Sequence, residues 1–256
     1  MVPVSLYDEL EIKRPRSRQV GQGRLRVFCD HPLVPSGQRN LVYQAASLLL
    51  REKRVQGPVH IRIRKRIPVG AGLGGGSSDA AATLLGLNLL FRLGCTRAEL
   101  SALAASLGAD VPFFIYRRPA RARGIGERLR PLASIAPLWI VILYPGFPVS
   151  TRWVYQNLPF KLTKHIENTS INFPWKDPRE LTRFLVNDLE KVAICRYPRI
   201  GFLKQRLIEE GAFGALMSGS GSSVFGIFST GQNARSALRR LRTEKGVEAF
   251  LVRTLS

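Results

Sequence analysis

The sequence predicts an α+β fold in which helices and a sheet form two packed layers. Strand-like and helix-like segments alternate in both halves of the 256 residues, a length that suits one large domain or two modest ones. The segment Val59–Ile67 alternates apolar and polar side chains, as a strand with one buried and one exposed face does. This alternation is typical of an antiparallel sheet that is covered on one side.

The first half of the chain supplies the elements up to Gly146. Apolar periodicity predicts, in order, strands over Leu6–Ile12 and Leu25–Cys29, a helix over Asn40–Arg54, the strand Val59–Ile67, a helix over Ser77–Leu93, a helix from Thr96, an extended segment over Gly108–Ile115 and a buried strand over Leu138–Leu143. Gly94 is a common helix C-cap, and Thr96 with Glu99 forms a capping box. Val59, Ile61 and Ile63 are expected on the buried face of their strand.

The second half begins near Phe147. Its predicted elements are a loop over Asn168–Pro178, helical segments over Pro178–Phe184 and Asp188–Arg206 with a break near Pro198, strands over Phe213–Met217 and Ser222–Phe228, a helix over Ala234–Thr243 and a closing strand over Val247–Val252. A second glycine loop, Ser218–Gly221, lies between the two strands. We therefore expect two domains, over residues 1–146 and 147–256.

The charge of the chain is strongly basic. Lysine and arginine number 39 against 18 acidic residues, which gives a net charge of +21. This balance raises the alternative of a nucleic-acid-binding protein, but the basic residues are spread along the chain and are not interleaved with aromatic ones. We interpret the densest clusters, Arg62–Arg66 and Arg117–Arg123, as solvated faces, and we expect no nucleic-acid partner.

The remaining bulk features favour a cytoplasmic protein. No run of about 18 apolar residues is present, so no membrane span is expected, and the N-terminus is not typical of a signal peptide. The three cysteines are far apart and lack zinc-site spacing, which fits a reducing compartment. The sequence leaves the choice between a monomer and a homodimer open.

A glycine-rich run is the strongest functional signal in the sequence. It reads Pro68, Val69, Gly70, Ala71, Gly72, Leu73, Gly74, Gly75, Gly76, Ser77, Ser78, Asp79 and stands between a strand and a strong helix. The run contains a dinucleotide-binding pattern, but the strand before it has a charged face, unlike the first strand of a parallel sheet. It is not a Walker sequence either, because Gly76 stands where that sequence requires lysine.

The remaining interpretation is a glycine cradle for phosphates at the start of a helix. Glycines allow the backbone to approach phosphate oxygens closely, and the free amides and dipole of a helix N-terminus favour an anion. The hydroxyls of Ser77 and Ser78 suit a phosphate or Mg²⁺. We therefore expect ATP and Mg²⁺ as ligands.

The glycine run resembles the signature of the GHMP kinases, small-molecule kinases with a two-domain fold of two-layer sandwiches and mainly antiparallel sheets. Further segments agree in order, namely Asn40–Val42, Leu107–Phe114, Gly124–Glu127, Tyr144–Gly146, Asn187–Glu190 and Leu216–Phe225. Gly108–Pro112 and Gly124–Glu127 are most similar to the branch that phosphorylates CDP-methylerythritol in non-mevalonate isoprenoid synthesis. Other substrates of the superfamily, such as homoserine or mevalonate, remain the alternative within this class.

The resemblance implies roles for individual residues. Pro68–Ser78 with Gly219 and Ser220 are expected to bind the ATP phosphates, and Asn40 the adenine. Asp110 matches the catalytic aspartate, which accepts the proton of the substrate hydroxyl. Without the resemblance, the preferred role of Asp110 is a helix cap. Thr151 and Tyr155 fall where the family contacts its cytidine-bearing substrate, and Tyr155 is otherwise interpreted as a core aromatic.

The sequence departs from the family pattern at its N-terminal end. The family begins with a strand that carries Pro-Ala-Lys-Ile/Leu-Asn, followed by Gly-Tyr-His; the lysine pairs with the catalytic aspartate and the Tyr-His pair recognises cytosine. Neither segment occurs in the 256 residues. We therefore expect this chain to bind ATP but to phosphorylate its substrate weakly or not at all.

Overall fold

The computed structural model describes residues 1–15, 25–123, 128–132, 136–158 and 178–255. Contacts divide the chain into two compact units. The first comprises Met1, Tyr7–Val69 and Gly74–Pro131, and the second comprises Val2–Leu6, Gly70–Leu73 and Leu132–Ser256. The change at Leu132 precedes the predicted boundary at Phe147, because the strand that ends at Tyr144 pairs with strands of the second unit.

The first unit is built on a small mixed sheet. Its strands are β1 (Glu9–Lys13), β2 (Leu25–Cys29) and β3 (Val59–Arg64) in the order β1-β3-β2. The central strand β3 runs antiparallel to β1, as its alternating pattern predicts, but parallel to β2. Helices α1 (Leu41–Glu52), α2 (Gly75–Leu90), α3 (Arg97–Ala105) and α4 (Val111–Tyr116) follow, and a hairpin of β4 (Ala120–Arg123) and β5 (Arg128–Pro131) completes the unit.

The core of the first unit lies between the sheet and the helices. Val59, Ile61 and Ile63 are fully buried, as predicted, and belong to one cluster with Leu84 and Leu87 of α2. The predicted capping box at Thr96 is present, since its side chain accepts from the Glu99 amide and the Glu99 carboxylate accepts from the Thr96 amide. The predicted helix boundaries of α1, α2 and α3 therefore agree with the structure to within a few residues.

The prediction of an extended segment over Gly108–Ile115 is wrong. Val111–Tyr116 forms the helix α4, in which Pro112 occupies the first turn, where a missing amide costs nothing. Val111, Phe113 and Ile115 are buried, and Val111 and Ile115 join the same core as α2 and α3. Burial of this apolar face outweighs the extended preference that the proline and the β-branched residues suggest.

The second unit contains a four-stranded antiparallel sheet. Its strands are β6 (Trp139–Tyr144), β7 (Gly214–Met217), β8 (Val224–Phe228) and β9 (Glu248–Arg253) in the order β7-β8-β6-β9. The helices are α5 (Thr151–Gln156), α6 (Asp188–Arg196), α7 (Pro198–Glu209) and α8 (Gly231–Leu241), with a 3₁₀ turn over Pro178–Phe184. The break at Pro198 is confirmed, while most of the predicted loop Asn168–Pro178 lies outside the described residues.

One face of this sheet packs against the helices in the larger of two clusters. Val141, Leu143, Val224 and Phe228 contribute from the sheet, together with apolar residues of α6, α7 and α8. The opposite face buries Ile140, Ile142 and Ile227 in a smaller cluster with Leu6 and Leu73. The predicted α+β fold with mainly antiparallel sheets is confirmed.

Candidate functional site

The glycine-rich run leaves β3 and turns into α2. Gly70, Gly72 and Gly74 have φ angles of +68°, +74° and +70°, in the left-handed region that other residues rarely adopt. Alternate residues of this segment are therefore glycine because the backbone conformation requires it. The run is a defined loop, and its conformation explains the spacing of its glycines.

The residues Gly70–Leu73 lie directly against the second glycine loop, within the second unit. Ser218 Oγ donates to the Gly72 carbonyl over 2.9 Å, and the Ser223 amide donates to the Ala71 carbonyl over 3.1 Å. A Cβ on Gly72 would stand 2.1 Å from the Ser218 carbonyl oxygen, where no side chain fits. The backbones of Gly70–Leu73 and of the second glycine loop are thus in close contact.

The predicted substrate residues lie on α5. Thr151 Oγ1 is 2.7 Å from Ser220 Oγ, so a residue expected to contact the substrate touches one expected to contact ATP. Tyr155 is one turn further along and is 62% exposed, so it is not the core aromatic that its sequence context alone favours. Its ring is available for stacking on a flat ligand.

The last part of the glycine run belongs to the first unit and begins α2 two residues earlier than predicted, at Gly75. The N-cap residue Gly74 has no side chain to cap the helix. The amides of Gly75–Ser77 have no acceptor within the helix, whereas the Ser78 amide donates to the Gly74 carbonyl over 2.8 Å. Ser77 and Ser78 lie in this first turn. Phe114 of α4 packs so closely on Gly74 that a Cβ there would stand 2.9 Å from its ring.

Asp110 occupies the N-cap position of α4 without acting as a cap. Among the described residues, its carboxylate accepts no bond from the first amides of that helix. Removal of water by the surrounding protein raises the pKa of Asp110, and the Met1 ammonium opposes the rise. A carboxylate with a raised pKa is a better proton acceptor than an ordinary surface aspartate.

Asn40 is the N-cap of α1 and is buried. Its Oδ1 accepts from the Val42 amide over 2.8 Å, and its Nδ2 donates to the Pro35 carbonyl over 2.9 Å. The start of α1 lies beside that of α2, since a Cβ on Gly76 would stand 3.6 Å from Leu41 Cδ1. Asn40 therefore has a structural role at this place, and one amide proton and one lone pair remain for a ligand.

A buried ion cluster beside the start of α2 was not predicted. Lys65 Nζ lies 2.5 Å from Asp8 Oδ2 and 2.9 Å from Asp79 Oδ2. The side chains of Lys65, Asp8 and Asp79 are only 5%, 1% and 5% exposed. The interpretation of Arg62–Arg66 as a solvated face is thus correct for its arginines, which are exposed, and wrong for Lys65.

The cluster holds one buried cation between two buried carboxylates. Burial alone lowers the pKa of Lys65, but Asp79 and Asp8 outweigh it and raise that pKa. Burial raises the pKa of Asp79 to about 7, because the attraction of Lys65 only partly offsets the lost solvation and the nearby Asp8 carboxylate adds to the rise. The lysine is therefore firmly charged, whereas Asp79 takes up a proton readily.

One predicted segment and the question of a metal site remain. The segment Gly124–Glu127, which the sequence singled out, lies outside the described residues. Within the described ranges, no group of three or more histidine, cysteine or acidic side chains is placed to hold a metal ion. The helices of these ranges are also too short or too polar to cross a membrane.

Two family models match the chain. Residues 40–118 match the N-terminal domain of the GHMP kinases, and residues 175–248 match the GHMP kinase C-terminal domain. The first match contains the glycine run and Asp110, and the second contains the Ser218–Gly221 loop. Both loops thus lie in segments that the family has in common.

Curated relatives match over nearly the whole chain. A 4-diphosphocytidyl-2-C-methyl-D-erythritol kinase of Syntrophotalea carbinolica is 46% identical over 252 residues, which is 98% of this chain and 88% of the relative. A kinase of the same name from Citrifermentans bemidjiense is 45% identical over 255 residues, covering 100% of this chain and 89% of the relative.

Solved structures agree with these relatives. A crystal structure of 4-(cytidine 5'-diphospho)-2C-methyl-D-erythritol kinase superposes with a TM-score of 0.77 at 37% identity, covering 100% of this chain and 88% of that one. Homoserine kinase from Cytophaga hutchinsonii superposes with a TM-score of 0.72 at 18% identity over 97% and 85% of the two chains. The second similarity is one of fold alone.

Proposed function

The chain belongs to the GHMP kinases and, within them, to the 4-diphosphocytidyl-2-C-methyl-D-erythritol kinases, and from this membership we propose that it transfers a phosphoryl group from ATP to the 2-hydroxyl of that substrate in the non-mevalonate isoprenoid pathway. The observation that carries the proposal is the glycine loop, whose left-handed glycines lead into the uncapped first turn of α2. This arrangement suits an oligophosphate.

The chain's own residues have separate tasks in this reaction. We assign the phosphates to the loop Pro68–Ser78, chiefly through the backbone amides of Gly75–Ser77 at the start of α2, and to Gly219 and Ser220. The adenine is assigned to the surroundings of Asn40. A loop of this kind suits ATP, because its left-handed glycines let the backbone approach phosphate oxygens closely. ATP supplies the group that is transferred. Mg²⁺, which the hydroxyls of Ser77 and Ser78 suit, would neutralise phosphate charge.

Asp110 is the proposed base. As the substrate oxygen bonds to the γ-phosphorus, the bond from that phosphorus to the bridging oxygen of ADP breaks, and the hydroxyl proton passes to the Asp110 carboxylate. Its raised pKa supports this role, and so does the absence of any cap bond to α4 among the described residues. Thr151 and Tyr155 are assigned to the cytidine end of the substrate, where Tyr155 presents an exposed ring.

The direct test is a substrate-dependent kinase assay. The chain is incubated with ATP and Mg²⁺ and with CDP-methylerythritol, homoserine or mevalonate in parallel, and ADP and the phosphorylated product are measured. We expect ADP formation above background with CDP-methylerythritol alone. Turnover of homoserine or mevalonate in its place would contradict the assigned substrate.

ATP binding is measured separately from turnover by calorimetry, because binding requires the glycine loop whereas turnover requires the whole catalytic set. We expect the chain to bind ATP in the absence of the second substrate. A chain that forms no complex with ATP would contradict the role assigned to the glycine loop.

A further inference from the structure

We propose that Lys65, Asp8 and Asp79 are positioning residues that hold the two ends of the glycine loop in its phosphate-binding conformation. The inference concerns the same loop as the proposed function and rests on it for the identity of the ligand. Neither the phosphate-binding role of the loop nor the proposed base explains why these three charged side chains are buried together, and the inference gives them a role.

The cluster fixes the start of the loop through Asp8. The Asp8 Oδ1 accepts from the backbone amides of Arg66 and Ile67 over 2.6 Å and 2.9 Å, while its Oδ2 accepts from Lys65 Nζ. These two amides belong to the residues immediately before Pro68. The carboxylate thus holds the turn by which the chain leaves β3 and enters the loop.

The cluster fixes the end of the loop through Asp79. This residue lies in the second turn of α2 and is the one charged side chain between Gly75 and Leu90. Its bond to Lys65 Nζ connects α2 to the residue that follows β3. Because the helix presents its first amides to a ligand, a shift of α2 along its axis would move these donors out of place.

Lys65 connects the residues before the loop to the helix that follows it. Its Nζ lies 3.3 Å from the position that a Cβ on Gly75 would take, so the ammonium is packed against the first residue of α2. With one cation between two buried carboxylates, loss of Lys65 leaves two like charges facing each other without solvent. Such a pair relieves itself by moving apart or by taking up protons, and either response releases one end of the loop.

The test compares ATP affinity and loop dynamics in matched variants. Lys65→Met removes the bridge, Asp79→Asn keeps its shape and an acceptor oxygen, and the double variant removes the bridge together with one of the two carboxylate charges. Leu100→Ala serves as control, since Leu100 is fully buried in the same core but in α3. ATP dissociation constants are measured by calorimetry, and amide hydrogen exchange of residues 66–79 by mass spectrometry without ligand.

We expect Lys65→Met to weaken ATP binding by about tenfold or more and to speed exchange at residues 66–79. Asp79→Asn should weaken binding by less than about threefold, and the double variant should bind ATP more tightly than Lys65→Met alone, because one unpaired charge is gone. Leu100→Ala should lower the unfolding temperature without changing either measurement below that temperature.

Each failure has a separate meaning. If Lys65→Met binds ATP as the unaltered chain does, or weakens binding no more than an equally destabilised Leu100→Ala, the positioning role is wrong. If the unaltered chain binds no ATP, the proposed function fails, and the exchange measurement then decides the inference. Faster exchange in Lys65→Met would support the cluster's hold on the loop, and unchanged exchange would overturn it.

Discussion

At the scale of single residues, Gly72 has the least room for a side chain within the glycine run. A Cβ there would stand 2.1 Å from the Ser218 carbonyl oxygen, compared with 3.6 Å to the nearest atom at Gly76. Gly72 also has a φ of +74°, which costs an L-residue about 1–2 kcal/mol before any clash. The position therefore depends on glycine for two independent reasons.

We expect Gly72→Ala to lower the free energy of unfolding by about 2 kcal/mol or more and to weaken ATP binding, since the two glycine loops must separate. The matched control is Gly76→Ala, which lies in α2 with ordinary contacts and should leave stability unchanged or raised. Urea unfolding gives the free energy of unfolding of each variant, and ATP titration gives its affinity for ATP. Equal stability of the two variants would contradict the strain at Gly72.

A substitution at Asp110 separates an effect on catalysis from an effect on stability. Its side chain caps no amide of α4 among the described residues, so Asp110→Asn should leave the unfolding temperature unchanged. We expect kcat to fall by about 10²–10⁴-fold with little change in the KM for ATP, because the amide cannot accept the proton. Steady-state kinetics provide the check, and an unchanged kcat would remove Asp110 from the mechanism.

The burial of Lys65 is indicated by the sequence, but its partners are not. Lys65 is two residues after Ile63, so the alternation places it on the same side of the strand as Val59, Ile61 and Ile63, which is the buried face. The alternation therefore placed a lysine in the core, and a buried lysine requires acidic partners. The identity of those partners was beyond the sequence, since Asp8 is 57 residues away and its approach depends on the pairing of β1 with β3.

At the scale of elements, α2 carries a titratable group into the core. The pKa of Asp79 is raised from an ordinary 3.8 to about 7, so the folded chain binds its proton more tightly than the unfolded chain does. This proton stabilises the fold fully below pH 3.8, and the contribution is lost as the pH rises to about 7.

The expected result is a pH-dependent difference between the unaltered chain and Asp79→Asn, which cannot titrate at this position. Unfolding free energies from urea titrations between about pH 5 and pH 8 give the difference at each pH. We expect the unaltered chain to lose stability relative to the variant as the pH rises. A difference that is flat across this range would show that Asp79 has an ordinary pKa.

The helices and strands were predictable where local chemistry decides them. The Thr96 capping box and the β3 alternation depend on neighbouring residues and are confirmed. Helix α4 was mistaken for an extended segment because its six residues include a proline and two β-branched side chains, and only packing against α2 and α3 makes it helical. The hairpin β4–β5 was not predicted, since arginines occupy half of its eight strand positions.

At the scale of the whole molecule, the net charge of +21 invites non-specific contacts with polyanions. Basic side chains are exposed at many separate places, and on the β4–β5 hairpin Arg121, Arg128 and Arg130 line a shallow cavity of about 220 Å³. Contacts of this kind involve phosphates rather than bases and weaken steeply with salt. We therefore expect any binding of nucleic acid to this chain to be independent of base sequence.

We expect two DNA duplexes of unrelated sequence to bind equally at about 50 mM salt and to be released at about 200 mM salt. Fluorescence anisotropy measures this, with saturating ATP as a competitor that should have little effect on either duplex. Binding that favours one duplex and persists at the higher salt would revive the alternative of a nucleic-acid-binding protein.

The arrangement of the second sheet has a consequence for how the protein is made. Its strand β6 is flanked by β8 on one side and by β9 on the other, and Val4 forms a β-bridge with Thr254. A ribosome releases the whole of the first unit, up to Pro131, long before it releases β9. The glycine loop is therefore synthesised early, but its segment Gly70–Leu73 must wait first for Pro148 and Val149 and then for Ser218–Ser223 before its contacts are complete. The sheet of the second unit closes only when translation has reached Arg253.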